Sequence, residues 1–521
     1  MEFFTGERFA SRARHLLNKH HVPGLAAAIV QGDRIETAAY GKSCINPPRD
    51  CTPETLFDAA STSKSMTAAA VSLLVDESDK YRGIQWDTPM STLLPDDFVL
   101  ASEAKTATVT VEDILSHRSG MAPHDFSYMS PRAARPDDAK SVTRNLRNLD
   151  TAAPVRSKYM YCNMMFTAAA YLVEELSGTK FADFLHDRFF QPLGMTLTNL
   201  QPFRARQKGL SELIATGYTW DERLSAYTEI QCLDCPEAQG AGSIITCAAD
   251  YIKWIKALVN QEKPISKAAY RGLLRQRTLM NPDADNLSPR TSPDVYAAGL
   301  ITYYYRGFLV VCHPGGVPGF GSHIFFLPEF KFGGVIFTNS LDGQRVAITL
   351  ASELIDELLN VPAVEIFDGV KAGSLAQQDT GEAEGPPARC QSQSVATERR
   401  RQVFPLTAYI GTFTNAGYHT LEVVIRHNKL YIDASDRSMG FTLEFEHVSE
   451  QRKYAARMKL CDELGGIKGG LINAEFRLEK ERFMMGLDLE PNLGRLIWFE
   501  RITGGLSVDE LREIWQSQHV A

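Results

Sequence analysis

Four consecutive residues, Ser61-Thr62-Ser63-Lys64, place a serine hydroxyl and a lysine amine three positions apart. On a helix this spacing brings both side chains to the same face, one turn apart. A serine is a poor nucleophile until a base removes its proton, and burial lowers the pKa of a lysine so that it can serve as that base. The residues therefore predict covalent acyl chemistry on Ser61, with backbone N–H groups at the helix start available to a developing oxyanion.

The same spacing occurs twice more, at Ser102 with Lys105 and at Ser177 with Lys180. Ser102 lies in a polar stretch, and Ser177 precedes a glycine at the end of a helical pattern. Only Ser61 opens an apolar helical pattern, FDAASTSKSMTAAAVSLLVDE, whose apolar residues recur three and four positions apart. This context indicates Ser61 as the nucleophile.

A second set of residues able to move protons is Tyr161-Cys162-Asn163. A tyrosinate acts as a general base toward a serine when nearby cations lower its pKa. The amide of Asn163 could orient Lys64 and donate to a substrate carbonyl, and Cys162 is interpreted as a spacer. A Tyr-x-Asn triplet alone is more often a loop ahead of a helix, here the apolar segment FTAAAYL.

The third set, His313-Pro314-Gly315-Gly316, follows the strand-like segment FLVVC. Two consecutive glycines let a backbone approach a ligand closely. A strand edge here is predicted to supply the second N–H group of an oxyanion hole, and Gly316 is the residue expected to carry it. His313 is expected to be neutral near pH 7, because an unperturbed imidazole has a pKa of about 6.5.

The elements that must position these residues are strands on either side of a helical region. GLAAAIVQGD and RIETAAYG predict a hairpin around a Gly-Asp turn, whereas YRGFLVVCHPGG, GSHIFFLPEF and FGGVIFTNS are β-rich segments much later in the chain. The early strands must pair with the late ones. This order predicts an α/β fold with a mostly antiparallel sheet flanked by helices, and an inserted helical subdomain.

Residues 370–402 differ in composition from the rest of the chain, because they lack aromatic residues and are rich in Gly, Gln, Ser and Ala. We predict a flexible linker over residues 366–403, between a catalytic domain of residues 1–365 and a module of residues 404–521. The module alternates apolar and polar residues, which predicts an all-β fold, either a small up-and-down barrel or a sandwich. It carries none of the three motifs, so we expect acylation of Ser61 to survive its deletion.

In this order, the S-T-S-K, Y-C-N and H-P-G motifs resemble those of the serine β-lactamase and penicillin-binding-protein superfamily. Tyr-x-Asn and His-x-Gly are similar to the class C β-lactamase-like branch, with its family VIII esterases and acyl transferases. The resemblance covers roughly residues 20–360 and includes VTVEDILSHRSGM and QPLGMTLTN. The segment YIGTFTNAGYHTLEV in the module resembles the lipocalin-like barrel that follows the catalytic domain in some of these hydrolases.

The resemblance implies a β-lactamase-like fold and a catalytic role for three residues. Ser61 would be the nucleophile, and Lys64 would share its proton network. Tyr161 would be the general base in acylation and the general acid toward the leaving group. No cofactor is implied.

The resemblance also implies substrate-binding residues, namely Asn163, His313, Gly315 and Gly316. Asn163 would contact both substrate and Lys64, His313 would help to position substrate or Tyr161, and the backbone N–H of Gly316 would face the oxyanion. The sequence departs from many relatives in having His313 and Pro314 where they have Lys and Thr. A neutral ring and a proline hold a carboxylate less well than an ammonium and a hydroxyl, so we expect weak activity on β-lactams.

The function predicted from these residues is that of a serine hydrolase which forms an acyl-enzyme on Ser61 and cleaves an ester or amide-like acyl substrate. An acyl transferase of secondary metabolism would use the same acyl-enzyme, and the sequence does not separate the two. A catalytically inactive scaffold relative is the third alternative. The intact set of Ser61, Lys64, Tyr161 and Asn163 argues against it.

The composition restricts the binding partners and the cellular compartment that we expect for this protein. The chain has 521 residues, 44% apolar and 23% charged, and its net charge of −8 comes from mixed signs without a basic face for nucleic acid. The apolar run Met66–Val75 is shorter than the roughly 20 residues that span a bilayer. With no signal-peptide pattern and nine scattered cysteines, we expect a cytoplasmic protein that acts on a small-molecule acyl substrate. The one C-x-x-C lacks a second pair, so we expect no metal; the oligomeric state stays open.

Overall fold

A computed structural model describes residues 1–285, 287–362, 402, 404–450 and 452–517. The strands of its first part are β1 (Gly24–Gln31), β2 (Arg34–Cys44), β3 (Arg49–Asp50), β4 (Phe57–Asp58), β5 (Asn199–Leu200), β6 (Gly217–Asp221), β7 (Ala226–Ile230), β8 (Ile244–Thr246), β9 (Thr278–Leu279), β10 (Val295–Tyr296), β11 (Ile301–Tyr305), β12 (Phe308–Val317), β13 (Phe320–Leu327) and β14 (Phe332–Thr338).

The main sheet joins the two ends of the catalytic domain. Its strand order is β3-β2-β1-β14-β13-β12-β11-β10-β9, and all of its neighbours pair antiparallel. β1 and β2 form the predicted hairpin, and β1 pairs with β14 so that Leu25 lies opposite Thr338. The prediction that early strands pair with late ones is therefore confirmed. β12, which carries the H-P-G motif, lies between β11 and β13.

The helices flank the sheet and build the region inserted between β4 and β9. They are α1 (Glu2–Thr5), α2 (Glu7–Lys19), α3 (Lys64–Asp76), α4 (Met90–Leu93), α5 (Glu103–Thr108), α6 (Val111–Leu115), α7 (Ala139–Asn145), α8 (Asn163–Ser177), α9 (Phe181–Leu185), α10 (Pro202–Gln207), α11 (Ala248–Asn260), α12 (Lys267–Leu274), α13 (Gly343–Leu358) and α14 (Val508–Ser517). In the ranges that the structure describes, none of the helices has the length and apolar composition that crossing a bilayer requires. α3 and α8 pack against each other and carry the first two motifs at their N-terminal ends.

The C-terminal module is a closed barrel of consecutive antiparallel strands, as the alternating pattern predicts. The strands are β15 (Gly411–Asn415), β16 (His419–Arg426), β17 (Lys429–Ala434), β18 (Phe441–Ser449), β19 (Lys453–Leu460), β20 (Lys468–Glu479), β21 (Arg482–Leu487) and β22 (Ile497–Thr503). β15 pairs with β22 and closes it. Buried aromatic rings from several strands fill its interior, and the ring centre of Phe476 lies within 6.1 Å of those of Phe413, Phe445 and Phe483.

The barrel packs directly against the catalytic domain. Asn145 at the end of α7 donates a hydrogen bond to the carbonyl oxygen of Gly417 at 2.9 Å, and Arg132 pairs with Glu463 at 2.7 Å. The sequence predicts a module joined by a flexible linker, and the predicted linker lies outside the described residues apart from residue 402. Sequence composition could not reveal this contact, because it forms between segments some 300 residues apart.

Candidate active site

The nucleophile candidate lies on a tight turn ahead of α3. Ser61 belongs to a 3-10 turn, Ala60–Ser63, that runs into α3. Ala60 has a φ of 49°, a left-handed conformation that is uncommon for alanine and has to be held by its surroundings. Its N–H donates to the Asp58 carboxylate at 2.7 Å, and the hydroxyl of Ser322 donates to the carbonyl of the preceding Ala59 at 2.8 Å. These bonds fix the approach to Ser61.

Two groups that can carry a proton contact the oxygen of Ser61. The amine of Lys64 donates to Ser61 Oγ at 3.0 Å and to the carbonyl oxygen of Ala241 at 2.8 Å. The hydroxyl of Tyr161 donates to Ser61 Oγ at 2.8 Å. Ser61 is partly exposed, whereas Lys64 is fully buried. A serine in this position can lose its proton to either neighbour while its oxygen faces a substrate.

The ring of Tyr161 is held between a cation and an imidazole. Lys64 Nζ lies 4.7 Å from the centre of the ring, and the ring of His117 lies 4.2 Å from it on centres. The N–H of Cys162 donates to His117 Nδ1 at 3.1 Å. Burial lowers the pKa of His117 well below its usual value, so this ring supports Tyr161 as a neutral group. Sequence reasoning had assigned His117 no part in the site.

Asn163 is the first residue of α8, which places its side chain at the same end of the helix as Tyr161. Its amide nitrogen donates to the carboxyl oxygen of Asp125 at 3.2 Å. Burial raises the pKa of Asp125 to about 6. A carboxylate oxygen accepts but does not donate, so it turns the NH2 group of Asn163 toward itself. This partner of Asn163 was not predicted from the sequence.

The structure places His313 beside the site but fully inside the protein. Its Nδ1 donates to the carbonyl oxygen of Pro314 at 2.6 Å, because a carbonyl only accepts. The hydroxyl of Tyr296 then donates to Nε2 at 2.9 Å. Burial lowers the pKa of His313 to about 3, so the ring is neutral as the sequence analysis expected. The ring lies against Tyr296, and its role in helping to position substrate or Tyr161 stays a prediction.

The glycine pair of the third motif brings β12 against the nucleophile turn. A Cβ atom on Gly315 would lie 2.2 Å from Ser322 Oγ, 2.7 Å from the Ala59 carbonyl and 3.1 Å from the Ser61 nitrogen. Atoms do not approach so closely, so only glycine fits there. Gly316 follows on the same strand, opposite Gly321 of β13. Gly315 therefore lets β12 lie against the backbone of Ala59 and Ser61, and the role of Gly316 in an oxyanion hole stays a prediction.

Known protein families match both parts of the chain. The family described as Beta-lactamase matches residues 9–356, and a domain of unknown function, DUF3471, matches residues 397–501. The chain belongs to the Beta-lactamase family. The match covers all three motifs, and the β-lactamase-like α/β fold predicted from the sequence is confirmed.

Two hydrolases and a penicillin-binding protein homologue are similar to this Beta-lactamase family member. It is 33% identical over 500 residues to the unguisins hydrolase of Aspergillus campestris, an alignment that covers 95% of this chain and 91% of the relative. It is 32% identical over 520 residues to the unguisins hydrolase of Aspergillus violaceofuscus, covering 92% and 88%. Among solved structures, the octameric penicillin-binding protein homologue from Pyrococcus abyssi has a TM-score of 0.58 at 18% identity, covering 95% of this chain and 99% of that one. The fold of that homologue therefore extends over both domains.

In this Beta-lactamase family member, the structure brings Ser61, Lys64 and Tyr161 into one hydrogen-bonded group and sets Gly315 against it. Three neighbours were missed by sequence reasoning: His117, Asp125 and Tyr296. Asp125 and Tyr296 lie outside the segments that carry the family resemblance, whereas His117 lies within VTVEDILSHRSGM but outside the three motifs. All three reach the site through the packing of segments that are distant in the sequence. Across the residues that the structure describes, no group of three or more His, Cys, Asp or Glu side chains could hold a metal ion.

A buried carboxyl group also connects the barrel with the site. Glu237 lies on the 3-10 turn Pro236–Ala238, and the hydroxyl of Ser438 in the barrel donates to it. Glu237 is fully buried, which raises its pKa from 4.5 to about 7. The turn leads to Ala241, whose carbonyl accepts from Lys64. Ionisation of Glu237 at this position costs desolvation energy.

This raised pKa predicts a pH-dependent stability. Between pH 4.5 and about 7 the folded protein binds one more proton at Glu237 than the unfolded chain, so the contribution of this group to the free energy of unfolding falls as the pH rises. Glu237→Gln mimics the protonated acid. We expect its free energy of unfolding to exceed that of the wild type by about 2–3 kcal/mol at pH 8 and to equal it at pH 4. Denaturant unfolding at both pH values measures this. Glu463→Gln, at a half-exposed barrel carboxylate, is the control. A constant difference across the pH range would contradict the expectation.

Proposed function

We propose that this protein is a hydrolase that cleaves an amide or ester bond through an acyl-enzyme on Ser61. The observation that carries the proposal is the contact of one serine oxygen with both the Lys64 amine, at 3.0 Å, and the Tyr161 hydroxyl, at 2.8 Å. A serine at such a junction is an activated nucleophile. Its partial exposure on a turn held by Asp58 supports the same role.

In the proposed reaction, Ser61 Oγ attacks the substrate carbonyl while its proton passes to the deprotonated oxygen of Tyr161. The N–H groups of Ser61 and Gly316 stabilise the oxyanion. Tyr161 then gives the proton to the leaving amine or alcohol, and the carbonyl is left as an ester of Ser61. A water molecule attacks this ester, gives its proton to Tyr161, and releases the acid as Ser61 recovers its proton. Lys64 stabilises the negative charge on Tyr161 throughout.

The substrate-binding residues act around this centre. Asn163, at the start of α8, donates a hydrogen bond to the substrate carbonyl oxygen. His313 acts through Tyr296, because the ring of His313 is buried.

Hydrolysis is favoured over acyl transfer, because a relative that aligns with 95% of this chain is named as a hydrolase. Unguisins are accordingly the first substrates to test. The free thiols of the described cysteines support a reducing compartment such as the cytoplasm.

The test is detection of an acyl adduct by intact-protein mass spectrometry, followed by peptide mapping. The panel contains unguisins, amino-acid amides of both configurations, aryl esters and thioesters. The expected result is a mass increase on the peptide that contains Ser61, which decays as free acid appears. An adduct on another residue, or turnover with no adduct in a rapid-quench experiment, would contradict the proposal.

The buried His313 predicts a preference among acyl substrates. A β-lactam is anchored partly through its carboxylate, and here the neutral His313 and Pro314 offer that group neither a charge nor a hydroxyl. Loss of a charge-assisted hydrogen bond lowers binding by roughly 10- to 100-fold. We expect kcat/KM for a short-chain aryl ester to exceed that for nitrocefin by at least about that factor. Pro314→Thr, which restores a hydroxyl, should narrow the gap. Nitrocefin hydrolysis at or above the ester rate would instead indicate a true β-lactamase.

A further inference from the structure

The segment from His124 to Phe126 lies between the catalytic helix α8 and the barrel. Asp125 opens the 3-10 turn Asp125–Ser127, and His124 precedes it with a φ of 52°. A left-handed backbone at a histidine is uncommon and persists where neighbouring groups hold it. His124 is buried, so the groups that hold it can be identified from its hydrogen bonds.

Two residues of the barrel make hydrogen bonds with His124. Its backbone N–H donates to the Glu490 carboxylate at 2.9 Å. Its Nε2 lies 2.8 Å from the carbonyl oxygen of Asp150, which only accepts, so the ring proton is on Nε2. Burial lowers the pKa of His124 and keeps the ring neutral, so Nδ1 accepts from the hydroxyl of Tyr418 at 2.8 Å. Glu490 and Tyr418 together fix both the backbone and the ring.

The next two residues face in different directions. Phe126 packs edge-to-face on Phe441 of the barrel, with ring centres 5.2 Å apart. Asp125, between the two barrel-bound residues, accepts from the amide of Asn163 at 3.2 Å. The barrel therefore holds both flanks of the residue that bonds to Asn163.

This arrangement sets the orientation of the Asn163 side chain. With its NH2 group held by Asp125, the amide oxygen of Asn163 points elsewhere, and the second N–H remains for another acceptor. A shift of the 124–126 segment would release the amide to rotate. Small misplacements of a group that must meet a transition state have large effects on rate.

We propose that Asp125 is a positioning residue for Asn163, and that the barrel is part of the catalytic apparatus because Glu490 and Tyr418 set the position of Asp125. This proposal rests on the function proposed for Ser61, since Asn163 matters only if the acyl chemistry takes place beside it. It replaces the expectation from the sequence that acylation is independent of the barrel. A barrel that only adds stability would make the same contacts, and kinetic coupling separates the two cases.

The experiment uses the full-length chain with Asp125→Ala, Asp125→Asn, Tyr418→Phe and the double variant Asp125→Ala/Tyr418→Phe. The rate constant for acylation of Ser61 is measured by rapid-quench mass spectrometry with one aryl ester. We expect Asp125→Ala to lower it by about 10- to 100-fold, and Asp125→Asn, whose amide oxygen still accepts from Asn163, to stay within about 3-fold of the wild type. Tyr418→Phe should lower it by about 3- to 10-fold.

The double variant decides whether the barrel acts through Asp125. If it does, removing Tyr418's hydroxyl costs nothing more once Asp125 is alanine, so the double variant should be as slow as Asp125→Ala. The matched control is Glu463→Gln, which breaks the Arg132–Glu463 pair elsewhere on the same interface. Glu463→Gln should leave the rate constant for acylation unchanged, both in the wild type and in Asp125→Ala. Losses that multiply independently, or an Asp125→Ala protein that acylates at the wild-type rate, would overturn the proposal.

Hydrogen exchange provides a readout that does not depend on turnover. Tyr418→Phe should speed amide exchange in residues 120–130 and at the start of α8, and Glu463→Gln should not. Equal exchange in all three proteins would also overturn the proposal. Failure of the proposed function has a different signature, the absence of any adduct on Ser61 in the wild type. The two failures are therefore distinguishable.

Discussion

Ser61→Ala should abolish turnover and covalent labelling together while leaving the fold intact. Loss of the nucleophile removes the acyl-enzyme route altogether, and such losses in serine enzymes reach about 10⁴- to 10⁶-fold in kcat. The fold should survive because Ser61 is partly exposed and the turn around it is held by backbone contacts to Asp58 and Ser322. The measurements are kcat with an aryl ester, labelling by a fluorophosphonate probe, and the thermal unfolding midpoint.

The chain offers matched controls for this experiment. Ser102 and Ser177 have the same Ser-x-x-Lys spacing, but Lys105 bonds to the carbonyl of Ala153 and Ser177 lies at the end of α8. Ser102→Ala and Ser177→Ala should label and turn over substrate like the wild type. Turnover that survives in Ser61→Ala, with a label on another serine, would show that the nucleophile had been assigned wrongly.

The sequence distinguishes these serines because their local patterns differ. Ser61 opens an apolar helical stretch, and α3 begins at Lys64 as that pattern predicts. The same applies to the hairpin of β1 and β2, whose Gly-Asp turn is a local signal, and to the alternating strands of the barrel. The sequence also predicted that the early strands pair with late ones, although it did not specify that β1 lies beside β14.

The parts that the sequence did not predict depend on contacts between distant segments. Asp125 meets Asn163 from 38 positions away, and Glu490 meets His124 from 366 positions away. The burial of the His313 ring against Tyr296 was likewise not predicted. The left-handed conformation of Ala60 could not be predicted either, because alanine has no preference for that conformation.

The H-P-G motif contains one feature that the sequence predicts and one that it does not. Its glycines imply a close approach, and Gly315 does allow β12 to lie against the nucleophile turn. Its histidine carries no signal that separates a buried ring from one that contacts a ligand. Only the surroundings, which lower the pKa of His313 to about 3, make that distinction.

Tyr161→Phe should slow acylation by about 10²- to 10⁴-fold, the range that a general acid–base group contributes. The hydroxyl is the group within 2.8 Å of Ser61 Oγ, and its removal leaves the ring in place for its contacts with His117 and Lys64. The matched control is Tyr270→Phe, because the hydroxyl of Tyr270 is buried without a hydrogen-bond partner among the described residues. That variant should acylate at the wild-type rate and be at least as stable.

The size of the loss should depend on the leaving group. An amine must be protonated as it departs, whereas a nitrophenolate leaves readily without a proton, so the proposed acid role of Tyr161 matters more for an amide than for an activated ester. We expect the ratio of wild-type to Tyr161→Phe rates to be at least about 10-fold larger for an amide than for a p-nitrophenyl ester of the same acid. Equal ratios would remove the acid role and leave Tyr161 as a base alone. Full activity in Tyr161→Phe would assign both proton transfers to Lys64, whose amine is the other group in contact with the serine oxygen.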